Sequence, residues 1–226
     1  MYRPLREVSG DIYNFFNIKD RFKALFFADA TGHGVSAALV TAIILMILDN
    51  VLKKTVHPGQ VIEFLNKGLS ERLMSSFFAT GVFFVFDEDN TCYFTNAGHN
   101  PPIFIRPSEG TAELLSKSGP PLGMFDEAEF KASRLEVKPG DKLIIYSDAL
   151  VETKNAAGEM FNLERVMNLL EGNYHNSGED ILKLLESSLD SFAHEYTDDF
   201  SIIVLEIPPV STAKSSRGVS ALEKAL

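Results

Sequence analysis

The chain has a single cysteine and no tryptophan in 226 residues, and it is short of positive charge. One thiol, Cys92, excludes a disulfide framework and any zinc site built on several thiolates. Lys and Arg number 21 against 31 Asp and Glu, a formal charge of -10. A field of that sign repels phosphate backbones and anionic lipid, so nucleic-acid binding and a membrane-surface role are both disfavoured. No apolar run reaches the roughly 18 residues that argue for a spanning helix. The longest, Gly34–Leu48, is followed by Asp49, Lys53 and Lys54 and reads as a buried helix. The N-terminus, MYRPLREVSGD, lacks the apolar core of a signal peptide, and the expectation is a soluble cytoplasmic protein without membrane attachment.

What is present is enough apolar material, 45% of the chain, to bury a core without staples. Short runs rich in Phe, Ile and Val read as strands at Phe22–Ala28, Gly81–Phe86, Thr91–Thr95, Ile103–Arg106, Lys142–Ser147 and Ser201–Ile207. Helical spacing marks Val35–Lys54, Gln60–Met74 and Glu179–His194, with a shorter helix near Leu163–Leu170. The strands between Phe83 and Arg106 follow one another through the short links Asp87–Asn90 and Asn96–Pro102, which favours antiparallel hairpins. Helices cluster between blocks of strands rather than alternating with them. The pattern predicts an α+β fold, sheet packed on sheet with helices outside. One folded domain is expected over 1–208. The small, polar tail 209–226 is expected to lie outside it.

Four aspartates occupy conspicuous places. Asp11 follows a Ser-Gly turn; Asp29 ends the run FKALFFA and opens the loop ATGHG; Asp148 ends KLIIYS; Asp198, with Asp199 beside it, precedes FSIIVLEI. Carboxylates converging on one point repel each other unless a cation sits between them. Oxygen ligands without Cys or a spaced His pair select magnesium or manganese over zinc. Two such ions can activate a water for in-line attack on phosphorus. Asp is also a common turn residue at strand ends, so spacing alone leaves both readings open.

Six motifs in one order, GDIYNFF, ADATGHGVSAAL, NAGHNPP, GPPLGMF, YSDALVE and TDDFSIIVL, resemble the bacterial stage-two-sporulation-E-like phosphatases over about residues 3–207. These are a branch of the metal-dependent serine/threonine phosphatases of type 2C. The resemblance implies an α-β-β-α sandwich of two antiparallel sheets flanked by helices, with two manganese or magnesium ions. It implies hydrolysis of phosphoserine or phosphothreonine by a water that the two metals activate. The implied substrate is a STAS-type anti-sigma-factor antagonist, which places the chain in sigma-factor regulation. By position, Asp29 looks like the carboxylate bridging both metals, with the carbonyl of Ala30 as a further ligand. Asp148 and Asp198 look like ligands of the other ion, Asp11 like a holder of metal-bound water, and Asp199 like a supporting group. Family members usually carry an upstream sensor or receiver domain, and the resemblance leaves a homodimer open.

The chain departs from the family at Ser9-Gly10, where two glycines are common, and at His99, where type 2C relatives carry an Asp that can serve a third metal. His99 reads equally as a turn imidazole bonding backbone, and Arg6 as a surface residue rather than a phosphate holder. ATGHG lacks the Lys-Ser/Thr of a P-loop. Cys92 has no Arg loop after it to serve a thiol mechanism. His33, His57, His175 and His194 are scattered and read as surface or cap residues. The rival readings are a catalytically weak or inactive regulatory binding module of the same fold, and a small-phosphoester hydrolase.

Overall fold

Several strands of this chain are apolar on both faces, which is what makes them legible as strands and what buries them. Within Phe22–Ala30, the side chains of Phe22, Ala24, Phe26, Ala28 and Ala30 point one way and those of Leu25 and Phe27 the other, and all seven are buried. A computed structural model of the chain describes residues 1–5, 8–18, 21–32, 34–73, 77–87, 91–116 and 118–209. In chain order its elements are Tyr2–Arg3 (β1), Asp11–Ile18 (β2), Phe22–Ala30 (β3), Val35–Leu52 (α1), Pro58–Ser70 (α2), Ala79–Phe86 (β4), Thr91–Ala97 (β5) and Ile103–Arg106 (β6). There follow Thr111–Leu114 (β7), Ser133–Glu136 (β8), Lys142–Tyr146 (β9), Ala149–Glu152 (α3), Asn162–Leu170 (α4), Gly178–Phe192 (α5) and Phe200–Glu206 (β10).

The chain forms two compact units. One spans 10–99 and 117–138 and carries a sheet in the order β2-β3-β4-β5-β8, every pair antiparallel. Helices α1 and α2 cover one face of it, Ala37, Val40, Ile44, Leu48, Val61, Ile62 and Leu65 packing on Phe26, Phe83 and Val85. The other unit draws on 1–9, 100–116 and 139–208, and its sheet runs β1-β10-β9-β6-β7, again all antiparallel. Its helices supply Leu150, Val166, Leu170, Ile181, Leu185 and Leu189 to a core with Ile103, Ile144, Tyr146 and Ile202. The α+β class with two antiparallel sheets and attendant helices is therefore the one the sequence predicts.

The differences have local causes. β3 continues two residues past the expected Ala28, so Asp29 lies inside a strand and not in the loop after it. β1, β2, β7 and β8 have no counterpart among the expected strands. They are short or polar edge segments, whose solvent-facing residues break the apolar pattern. The link after β5 does not close a hairpin, because β6 pairs with β7 and β9 in the other sheet. Helix α2 begins earlier than expected, at Pro58, whose missing N–H costs nothing at the first helical position, and the Nδ1 of His57 accepts the Gln60 N–H at 3.2 Å. Helix α1, expected to be buried, is apolar on all sides and buries only one. By length and composition it could cross a membrane, yet it packs on β3 and α2, while Val35, Leu39 and Met46 stand 71%, 61% and 54% exposed. The expected tail lies outside the described residues from 210 onward.

One buried polar side chain fastens the second helix to the loop that crosses it. Asn66 accepts the Gly123 N–H at 2.8 Å and donates to the Phe125 carbonyl at 2.9 Å. Asn66→Leu strands both partners, and it should lower stability by about 2–4 kcal/mol, read from urea midpoints.

Candidate functional site

Four aspartates carry the chemistry the sequence suggests, and the structure holds them as two pairs, one on each unit. The first pair is a matter of strand register. Asp11 opens β2 directly opposite Asp29 of β3, and Asp29 in turn lies opposite Thr80 of β4. Residues directly opposed on antiparallel strands project to the same face, so Asp11, Asp29 and Thr80 form a row across three strands. Like charges so opposed are destabilising, more so at the 7% exposure of Asp11, unless a cation compensates them.

Backbone closeness sets that register. The Gly10 carbonyl accepts the Ala30 N–H at 3.1 Å, and a Cβ on Gly10 would stand 2.7 Å from the Ala30 carbonyl oxygen. Only glycine lets β2 come this near to Ala30. The row ends in a buried histidine. His99 Nδ1 lies 2.8 Å from the Thr80 hydroxyl, the His99 backbone N–H donates to Asn96 Oδ1 at 2.9 Å, and the ring packs on Phe27 with centroids 5.0 Å apart. Of the two readings left open for His99, neither is decided by this contact, in which the imidazole meets a side-chain hydroxyl.

The second pair is placed by the ends of β9 and β10. Ser147, buried just past β9, donates to the Asp199 carbonyl at 3.1 Å and accepts the Ser201 N–H at 2.9 Å, locking the exit of one strand to the entry of the other. Asp148 follows and opens α3, its carbonyl accepting the N–H groups of Val151 and Glu152, each at 2.9 Å. Asp148 and Asp198 line one cavity of about 410 Å³. Burial, and then the charges of Asp198, Glu152 and Asp199, push the Asp148 carboxyl up to about 6, against a pull downward from the Ala149 N–H. Asp199 also has a contact within the fold. Its buried carboxylate accepts the Leu5 N–H at 2.6 Å and holds the N-terminal segment to β10.

Hard oxygen donors that crowd one another suit a magnesium- or manganese-sized cation. Among the described residues no three His, Cys, Asp or Glu gather in metal-holding geometry, so each pair would need water or carbonyl oxygens to complete a coordination shell. Ala30 is buried at the end of β3 beside Gly10, where a carbonyl ligand is expected. Cys92 is fully buried in β5 and its thiol is driven far above the nucleophilic range by that burial, which leaves no thiol mechanism. Arg6 and His33 lie outside the described residues. Thr80 and Ser147 escape the sequence reading. The signal for each is a small hydroxyl residue in an otherwise apolar strand, two residues or fewer from a glycine or an aspartate.

The comparisons agree with one another. A family match, described as Stage II sporulation protein E (SpoIIE), covers residues 20–208. "Phosphoserine phosphatase RsbU" of Bacillus subtilis is 28% identical over 206 residues, 89% of this chain. The chain spans 60% of RsbU's length, and 34% and 51% of two further curated relatives. The SiaA-PP2C domain of Pseudomonas aeruginosa superposes with a TM-score of 0.81 at 16% identity, over 92% of this chain and 84% of that one. RsbX, solved in complex with magnesium, superposes with a TM-score of 0.66 at 18% identity, over 90% of this chain and 91% of its own. The chain has the fold of type 2C phosphatase domains.

Two measurements test the site's construction. Gly10→Ala should cost about 1–3 kcal/mol of stability by forcing β2 off Ala30, visible as a lowered denaturation midpoint. In chelator, the folded state holds the Asp148 proton to a higher pH than the unfolded chain does. Stability is therefore lost as pH rises from about 4 to about 6, and the penalty is fully present at neutrality. The melting temperature of Asp148→Asn should accordingly gain on that of the wild type as pH rises through this window, and a constant difference would contradict it.

Proposed function

The chain belongs to the stage II sporulation protein E family, and from that premise we propose that it is a divalent-metal-dependent phosphatase acting on phosphoserine or phosphothreonine of a regulatory protein. The observation that carries this reading is the pairing of all four expected aspartates, Asp11 with Asp29 and Asp148 with Asp198. Carboxylates brought together in this way repel each other, and a bound cation offsets that repulsion.

In this reading Asp29 and the Ala30 carbonyl would hold metal, Asp11 would orient water there, and Asp148 and Asp198 would hold metal on the other sheet. Two manganese or magnesium ions, when bound, supply Lewis-acid charge and a water of lowered pKa for direct in-line attack on phosphorus. Ser147 and Gly10 act by position: one fixes where Asp148 leaves β9, the other how close Asp11 comes to Ala30. Thr80, backed by His99, flanks Asp29 on the side away from Asp11. The substrate class, a STAS-type anti-sigma-factor antagonist, follows from the six-motif resemblance, as do a role in sigma-factor regulation and control by an upstream sensor or receiver domain. RsbU's own name, a phosphoserine phosphatase, supports the reaction.

Asp29→Asn and Asp148→Asn, assayed with manganese on a phosphoserine protein, should each lower turnover by about a hundredfold or more, and chelator should abolish it in the wild type. Retained turnover in either variant removes the metal mechanism. A partner bound equally well with and without manganese, and never dephosphorylated, would instead identify a binding module.

A further inference from the structure

The cavity beside Asp148 and Asp198 has a second wall that the metal reading leaves unused. Residues 153–161 form a tight arch. Lys154 pairs with Met160 across it, the Phe161 N–H reaches the Thr153 carbonyl at 2.9 Å, and the Asn155 N–H reaches the Glu159 carbonyl at 3.0 Å. The Asn155 side chain fills the arch, accepting the N–H groups of Ala157 and Glu159, each at 3.0 Å. From outside, the His194 N–H donates to the Lys154 carbonyl at 3.0 Å. The backbone of Lys154 is thus fixed on both sides, and Lys154 and Met160, directly opposed, present their side chains on one face and line the cavity.

The charges of this cavity are uneven. Asp148, Glu152, Glu195 and Asp198 contribute four carboxylates, and Lys154 is the one ammonium among the described lining residues. Two lysines elsewhere, Lys53 and Lys183, bond carboxylates four residues away, Asp49 and Glu179, both at 2.6 Å. Lys154, although it shares a cavity with Glu152 and Glu195, forms no ion pair and no side-chain hydrogen bond among the described residues. What sets Lys154 apart is its place: a backbone pinned from two sides holds the ammonium in a recess otherwise lined by carboxylates.

We propose that Lys154 is a substrate contact, its ammonium bonding the phosphate dianion of a phosphoseryl segment while Met160, 46% exposed, receives an adjoining apolar side chain. This inference rests on the phosphatase reading for its ligand. Cations held by the aspartates could offset Asp148 and Asp198 but not Glu152 and Glu195, so an arriving dianion still meets two carboxylates, and Lys154 offsets them. The reach of a lysine, a point charge on a flexible stem, suits a group whose orientation the metal side sets.

The test uses the full chain with manganese and two probes: a phosphoserine peptide, and its non-hydrolysable phosphonate analogue. Acetylation of lysines, read residue by residue by mass spectrometry, should slow at Lys154 when the analogue is added and stay unchanged at exposed Lys67. Lys154→Ala should raise KM for the peptide by about tenfold, the worth of one charge-assisted hydrogen bond, with kcat little altered, and Lys154→Arg should recover most of the loss. Hydrolysis by the wild type without protection of Lys154, or an unchanged KM in Lys154→Ala, overturns the contact and leaves the phosphatase reading standing. Protection of Lys154 in a protein that never releases phosphate keeps the anion site and sinks that reading instead.

Discussion

Carboxylates held close together with too little solvent to separate them are the constraint on which this molecule depends. Asp11 and Asp29 cannot avoid each other, because a strand register sets them opposite. Asp148 cannot shed its neighbours, because the junction of β9 and β10 fixes where it leaves the sheet. Each arrangement sets like charges against one another. The apolar cores of the two units, with Phe26 and Phe83 in one and Ile144, Tyr146 and Ile202 in the other, supply the stability that tolerates it.

The two pairs are built differently. On one sheet the positions follow from pairing geometry and need only a glycine to let the backbones approach. On the other they follow from a hydroxyl, Ser147, which replaces ladder bonds where the strands end. A shift of one residue in β2 would turn Asp11 to the opposite face, whereas loss of the Ser147 hydroxyl would loosen Asp148 without reversing anything. The first pair is therefore brittle to register and the second to side-chain chemistry.

Much of this was legible in the sequence where burial is strong. Strands such as β4, with Val82, Phe83, Phe84 and Val85 all buried, cannot be read as anything else, and the stripes of α2 and α5 name their inward faces. Edge strands were not legible: β1 has two residues and pairs only with β10, nearly two hundred residues away, so no local pattern reports it. The jump of β6 to the other sheet was hidden for the same reason, since a five-residue link looks alike whether it turns back or crosses over. The aspartates could be picked out by position. The partnership of Asp148 with Asp198 came from the family resemblance, because no periodicity spans fifty residues. The exposed side of α1 was invisible, because an apolar residue looks the same in sequence whether or not something covers it.

The interleaving of the two units has a consequence for synthesis. The unit that holds β10 takes its opening residues from 1–9 and its closing strand from 200–206, and the whole core of the other unit is made in between. β1 therefore waits on the ribosome for a partner that is the last described strand to emerge. The 10–99 stretch already holds two helices and four strands of its own sheet, and it can collapse while translation continues. Assembly of this protein is ordered by its own connectivity: an early half that condenses as it appears, and a late half that closes only when β10 arrives.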